Sequence, residues 1–226
     1  MDELATSVRT YFAEGIAVGQ PGLAVMRGER VRALTGDLGD SDLLVCLDAA
    51  VTLAQVERDG LAAVVEPQLD ALEERFPGAR VRAFGEMVDI LVARGDVDQA
   101  LALEQAWNEL VKARHFCLLC AYALDVFDPH VTPLLRGIAG DHSHALVVAS
   151  PERLAQAVDR ALDDVLGPDE TARVYVAVAE EAQTPKLPFA SAVLLWVTDN
   201  MPGAASRILA DARSYYYWSD AAPTSA

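Results

Sequence analysis

The sequence predicts an α/β fold, with a largely parallel sheet flanked by helices and a helical C-terminal appendage. Short apolar runs alternate with helical periodicity from about Gly22 to Ala149, which is typical of repeated strand–helix units. Residues 43–48 are apolar on both faces, as expected of a parallel strand buried between helices. From Ser150 onward the periodicity is helical, so no further strand is expected there.

Each element follows from its own apolar pattern. We expect helices over residues 2–15, 61–76, 86–94 and 96–114, and strands over 22–26, 43–48, 80–84, 116–122 and 145–149. Ser150 at the N-cap and Pro151 at the first helical position begin the next helix, which Gly167 ends. We therefore predict two domains, an α/β domain over residues 1–149 and a helical appendage over 150–226.

Composition limits the classes of partner. The 226 residues include 34 Asp and Glu against 18 Lys and Arg, a net charge of −16. Such a surface repels phosphate backbones and anionic lipids, so neither nucleic acid nor a membrane is expected as a partner. The start of the chain has no signal-peptide pattern, and no run approaches the roughly 20 apolar residues of a membrane span. We expect a cytoplasmic protein.

The easily recognised enzyme and nucleotide-binding motifs are missing from the sequence. It contains no G-x-x-x-x-G-K-[ST] or G-x-G-x-x-G loop, no G-x-S-x-G elbow and no H-E-x-x-H helix. We therefore expect a protein that is not an enzyme and that needs no cofactor.

Two short motifs could in principle hold a metal ion. Cys117 and Cys120 form a C-x-x-C within a predicted strand, where residues three apart point to opposite faces. They could not share a metal, and small core-filling thiols are the favoured interpretation. His142 and His144 could point to one side, but no third and fourth ligand lies nearby in sequence. Polar hydrogen-bonding roles are favoured for both, and no metal site is expected.

The predicted helix over residues 96–114 carries two polar residues within its apolar arc. Glu104 and Asn108 are stacked four residues apart, between Val97, Leu101 and Val111. A carboxylate that faces a core is costly unless it is hydrogen-bonded. The sequence leaves two alternatives open, namely hydrogen bonds to a nearby loop or contact with a ligand.

Polar groups also follow three of the predicted strands. These are Asp48, then Glu86 after Gly85, and then Tyr122 after Cys120. Ligands of open parallel sheets bind at the carboxyl ends of the strands. Although an acid after a strand is often only a helix cap, the combination with Glu104 and Asn108 indicates a site.

The order and spacing of five runs resemble the MEDS family, a methanogen/methylotroph sensory domain named from a regulator of dichloromethane metabolism. The runs are residues 12–22, 81–91, 103–110, 116–122 and 142–144, and the resemblance spans roughly residues 3–150. It implies a RecA/KaiC-like α/β fold that lacks a working phosphate loop and senses small molecules. The matching motif positions are Arg82, Gly85, Glu86, Glu104, Trp107, Asn108, Cys120, Tyr122, His142 and His144.

We therefore expect a non-catalytic sensory or regulatory domain that binds an unknown small organic ligand and signals through a partner protein. Glu86, Glu104, Asn108 and Tyr122 would supply the polar groups of an otherwise apolar pocket. One alternative is a degenerate RecA/KaiC-like nucleotide-binding protein or ATPase. Another is a ligand-free scaffold that uses the aromatic end, Tyr215–Trp218, to dock or to form a homodimer.

Overall fold

The structure is a computed structural model that describes residues 3–36, 38, 41–141, 150–181 and 187–218. The chain divides into two compact units between Ala123 and Leu124. The first contains a cluster of buried apolar residues between α1 (Glu3–Ala17) and the sheet, and the second contains a separate cluster among its helices. Each unit thus has a core of its own.

The first unit alternates strands with helices. Its strands are β1 (Gly22–Met26), β2 (Leu44–Asp48), β3 (Arg82–Gly85) and β4 (Cys117–Cys120). After α1, its helices are α2 (Val31–Thr35), α3 (Ala49–Asp59), α4 (Leu61–Arg75), α5 (Met87–Ala93) and α6 (Val97–Arg114). A single 3₁₀ turn, Gly28–Arg30, leads from β1 into α2.

Within the described residues the sheet has four parallel strands in the order β2-β1-β3-β4. Met26 is level with Asp48, Val25 with Gly85, and Gly85 with Cys120. This register brings the carboxyl ends of all four strands to one edge. All five residues of β1 are buried, as expected of a central strand covered on both faces.

Helices cover both faces of the sheet. On one face, Val8 and Phe12 of α1 pack against Ala24, Met26 and Phe84. Because side chains alternate along a strand, the face opposite Phe84 is that of Gly85, where Trp107 of α6 lies against the backbone. The helix α3 contacts β1 and β2, and α5 connects α3 to α6 by packing against both. The helix α6 is therefore the element that places side chains beneath the β3–β4 edge.

The second unit is helical over its described residues. Its helices are α7 (Thr132–Asp141), α8 (Pro151–Leu166), α9 (Pro168–Glu181), α10 (Phe189–Asn200) and α11 (Pro202–Trp218). The core joins α8 to α11 through apolar residues such as Val158, Leu162, Val193 and Ile208, each at most 1% exposed. No helix in the described part of the chain is both long and apolar enough to cross a membrane.

The predicted fold class is confirmed, as a parallel α/β sheet flanked by helices with a helical C-terminal region. The predicted helix after Ser150 is also confirmed, and Gly167 ends it with φ 84°. Ser150 takes the N-cap position, but the expected capping bond from its side chain does not form. The predicted strand over residues 145–149 lies outside the described residues, and the domain boundary at 149 and 150 stays a prediction.

Candidate functional site

The carboxyl edge of the sheet carries the polar residues that follow the strands. Asp48 accepts hydrogen bonds from the backbone N–H groups of Ala50 and Val51, both at 2.9 Å. Asp48 is therefore the N-cap of α3, the simpler of its two expected roles. Glu86 and Tyr122 lie at the same edge, after β3 and β4, and neither makes a capping bond with its side chain in the described contacts.

Glu104 of α6 and Tyr122 meet beneath this edge. The Tyr122 hydroxyl donates a hydrogen bond to Glu104 Oε1, and Glu104 is only 5% exposed. The amphipathic pattern of α6 explains the burial, since Glu104 lies on the same face as the buried Leu103 and Trp107. Trp107 packs edge-on against Phe116, with 6.3 Å between ring centroids. The Glu104 carboxylate is therefore held by Tyr122 on a face of α6 that is otherwise apolar.

Burial keeps Tyr122 and Cys120 neutral. The pKa of Tyr122 is raised above its usual range, first by burial and then by the nearby Cys120 and Glu104. Burial also raises the pKa of the Cys120 thiol, and the Glu104 charge raises it further. A protonated thiol is a poor nucleophile and metal ligand. Both groups can therefore orient a polar molecule by hydrogen bonding, but neither is prepared for acid–base or nucleophilic chemistry at neutral pH.

Asn108 lies one turn beyond Glu104 on the same face of α6. Its side-chain nitrogen, Nδ2, is buried and has no hydrogen-bond partner among the described residues. A buried amide without a partner costs roughly 1–3 kcal/mol. Such a donor is the group that a ligand with an acceptor oxygen would satisfy.

Glu86 belongs to a charge network between the ends of β1 and β3, in which the carboxylates are buried and the arginines are partly exposed. Its carboxylate accepts hydrogen bonds from Arg27 N at 2.9 Å and Arg30 Nη1 at 2.6 Å, and the residue is 0% exposed. Burial raises the pKa of the Glu86 carboxyl, and the contacts with Arg27 and Arg30 act against that rise. Asp89, 4% exposed, pairs with Arg27 Nη2 at 2.7 Å.

Asp89 also connects this network to the segment that carries Tyr122. Asp89 Oδ1 accepts a hydrogen bond of 2.7 Å from the backbone N–H of Ala123. The residue after Tyr122 is thereby fixed to α5, and through Asp89 to Arg27. The Glu86 network and the Glu104–Tyr122 pair thus share one edge of the sheet.

Arg82 lies at the other end of β3. Its guanidinium donates to Tyr11 O at 2.7 Å and to Gln20 Oε1 at 2.8 Å, and it lies over the Tyr11 ring. Three strand steps separate Arg82 from Gly85, on the order of 10 Å. The structure therefore does not bring Arg82 together with Glu104 and Tyr122, and gives it a role in attaching α1 to the sheet.

Of the cysteines and histidines with a predicted role, the structure describes Cys117 and Cys120. The strand β4 contains both Cys117 and Cys120, so side-chain alternation directs them to opposite faces, and no disulfide joins them. No group of three or more His, Cys, Asp or Glu among the described residues is arranged to hold a metal ion. His142 and His144 lie outside those residues, and their roles stay predictions.

The sequence identified Glu86 but neither its partners Arg27 and Arg30 nor Asp89, which pairs with Arg27. Arg27 directly follows β1 and Glu86 directly follows β3, so the two meet only because β1 and β3 are neighbours. The sequence shows where strands lie but not their order in the sheet. The available signal was the presence of two arginines, Arg27 and Arg30, within four residues of the end of a fully apolar strand.

Comparison with known proteins identifies one family. The model of the MEDS family, described as the MEthanogen/methylotroph, DcmR Sensory domain, matches residues 1–143. No curated protein and no solved structure gave a significant match.

Proposed function

The chain belongs to the MEDS family of sensory domains, and from that premise we propose that it is a non-catalytic sensor of a small organic molecule. The ligand binds beneath the carboxyl ends of β3 and β4, and the signal passes to a partner protein. The family match supports the sensory role, and the chemistry of the Glu104–Tyr122 region supports the position of the ligand.

The observation that carries the proposal is the buried side-chain nitrogen of the half-buried Asn108. Its Nδ2 has no partner among the described residues, while Glu104 and Tyr122 on the same side of α6 are hydrogen-bonded to each other. Proteins seldom retain an unsatisfied buried donor without a use for it. A ligand that accepts a hydrogen bond from Asn108 Nδ2 would remove that cost.

The chemistry of the site indicates the class of ligand. Tyr122 and Cys120 are neutral, and the oxygens of the Glu104 carboxylate accept hydrogen bonds, so they match a ligand hydrogen rather than the oxygen of an anion. Asn108 supplies a donor to a carbonyl or hydroxyl oxygen. We infer a small uncharged molecule with such an oxygen and an apolar body.

A thermal-shift screen tests this function. The panel consists of small amides, ketones and alcohols, tested on the wild type, on Glu104→Ala and on Arg82→Lys. We expect at least one compound to raise the Tm of the wild type and of Arg82→Lys but not of folded Glu104→Ala. A compound that stabilises all three equally would place its site elsewhere, and Glu104→Gln replaces Glu104→Ala if the latter does not fold.

The scaffold alternative has one observation in its favour. Tyr217 and Trp218 at the end of α11 are 56% and 77% exposed, and they line a groove of about 420 Å³ with Phe127 and Leu209. Exposed neighbouring aromatics are common at protein interfaces. If this surface forms a homodimer, the double variant Tyr217→Ser and Trp218→Ser will be monomeric by sedimentation, and an unchanged sedimentation coefficient removes that alternative.

A further inference from the structure

The strand order creates a crevice at a known position in the sheet. From β1 the chain proceeds to β2 on one side, and from β3 it proceeds to β4 on the other. The crevice therefore opens between the carboxyl ends of β1 and β3. Doubly wound proteins whose strand order begins 2-1-3-4 bind their ligands at this switch point, often with backbone N–H groups directed at an anion.

In this protein a side chain of the chain itself occupies that position. Glu86 Oε2 accepts the backbone N–H of Arg27 at 2.9 Å, and Glu86 Oε1 accepts Arg30 Nη1 at 2.6 Å. A bound carboxylate or phosphate would accept its hydrogen bonds from the same two kinds of donor, a backbone N–H after β1 and a guanidinium. Glu86 is completely buried, so its carboxylate fills the position that a bound anion would take.

The backbone N–H of Gly28, in the same loop, is also bonded to a carboxylate. The Gly28 N–H donates to Asp48 Oδ2 at 3.1 Å. A Cβ at Gly28 would lie 2.8 Å from that oxygen, so glycine allows the backbone to approach the carboxylate. Asp89, also buried, pairs with Arg27 Nη2. A phosphate that approached the loop would therefore face three carboxylates, and the hydrogen-bond donors of the loop are already bonded to those carboxylates.

We propose that the loop Arg27–Arg30 is an anion-binding site whose resident anion is the Glu86 carboxylate. The site accepts a small monocarboxylate of the size of formate or acetate once the Glu86 side chain is removed, and it is closed to phosphates while Glu86 is present. The nucleotide-binding alternative is thereby disfavoured at this crevice. The inference does not depend on what binds near Glu104.

Chemical rescue tests the proposal. Glu86→Ala leaves Arg30 unpaired beside a cavity and is expected to lower Tm by about 10 °C. At about pH 7.5, sodium acetate or formate at about 0.2 M should return about 3 °C of that loss beyond sodium chloride at equal ionic strength. Acetamide, which has the shape of acetate without its charge, should return none.

Met87→Ala is the matched control, since Met87 is the next residue and is equally buried. Removing a thioether side chain leaves no charged donor without its partner, so acetate should have no effect beyond that of chloride. Equal effects of acetate on both variants, or no effect on folded Glu86→Ala, would overturn the proposal.

The wild type gives an independent measurement if Glu86→Ala does not fold. In ¹H–¹⁵N spectra, pyrophosphate at about 10 mM should leave the amide signals of Arg27 and Gly28 in place, because their N–H groups are already bonded to carboxylates. A saturable shift of these two signals would show that phosphate enters the crevice and would overturn the proposal. Unchanged signals support it.

Discussion

At the scale of single residues, the bond from Tyr122 to Glu104 joins the segment after β4 to α6. Tyr122→Phe removes only the hydroxyl and leaves the buried carboxylate without that donor. We expect the free energy of unfolding to fall by about 2 kcal/mol, measured by urea denaturation. Tyr175→Phe is the control, because Tyr175 bonds to Asp159 at an exposed site and should change stability little. Equal losses in the two variants would contradict the importance assigned to burial.

A substitution at Asn108 should change the free energy of unfolding in the opposite direction. Asn108→Leu replaces a half-buried side chain, whose buried Nδ2 has no partner in the described structure, with an apolar side chain of similar size. We expect the ligand-free protein to gain about 1 kcal/mol in urea denaturation, while binding of the compounds found by thermal shift is lost. A loss of stability would show that the amide is satisfied and would remove the observation on which the ligand site rests. Asn200→Leu, at an exposed amide already bonded to Trp196 O, should gain nothing.

The residues of the candidate site were only partly predictable. Helical spacing placed Glu104 and Asn108 on the buried face of α6, and the ends of the strands placed Glu86 and Tyr122 at one edge, because both follow from fixed periodicities. The partners of Glu86 depend on which strands are neighbours, and that is set by long-range packing. Arg82 entered through the family motif, which does not reveal that its side chain serves α1.

At the scale of elements, Arg82 attaches α1 to the sheet through Tyr11 O, Gln20 and the Tyr11 ring. Arg82→Ala should lower the free energy of unfolding by about 2 kcal/mol and speed amide hydrogen exchange in α1 more than in α6. Arg80→Ala is the control, since Arg80 is exposed and, among the described residues, its side chain makes one hydrogen bond, to His115 O at 3.2 Å. Uniform acceleration across the first unit would contradict a local attachment.

The elements themselves were largely readable from the sequence. The strand Gly22–Met26 has the predicted bounds, and the bounds of β2, β3, β4 and α6 lie within two residues of the predicted ones, because each combines an apolar run with a clear stop. The helices α2, α3 and α7 were not predicted. The helix α3 begins at Ala49, directly after β2, so no loop-type residues mark its start in the sequence. For the same reason, the sequence is equally compatible with Asp48 as a site residue and as a helix cap.

The second unit of the molecule has an apolar core of its own among its described residues. The most buried residues of α8, α10 and α11, among them Leu162, Val193 and Ile208, pack with one another. We expect the isolated fragment 124–226 to be helical by circular dichroism and to unfold cooperatively. A fragment without a cooperative transition would show that this core needs the first unit.

The region of Glu104, Asn108 and Tyr122 is the proposed site of the sensed molecule. Native mass spectrometry tests it most directly, with the wild type and Asn108→Leu each incubated with the same panel of small amides, ketones and alcohols. We expect one compound to remain bound to the folded wild type, to leave on denaturation and to be absent from the variant. Retention by neither protein, or equal retention by both, would contradict the claim.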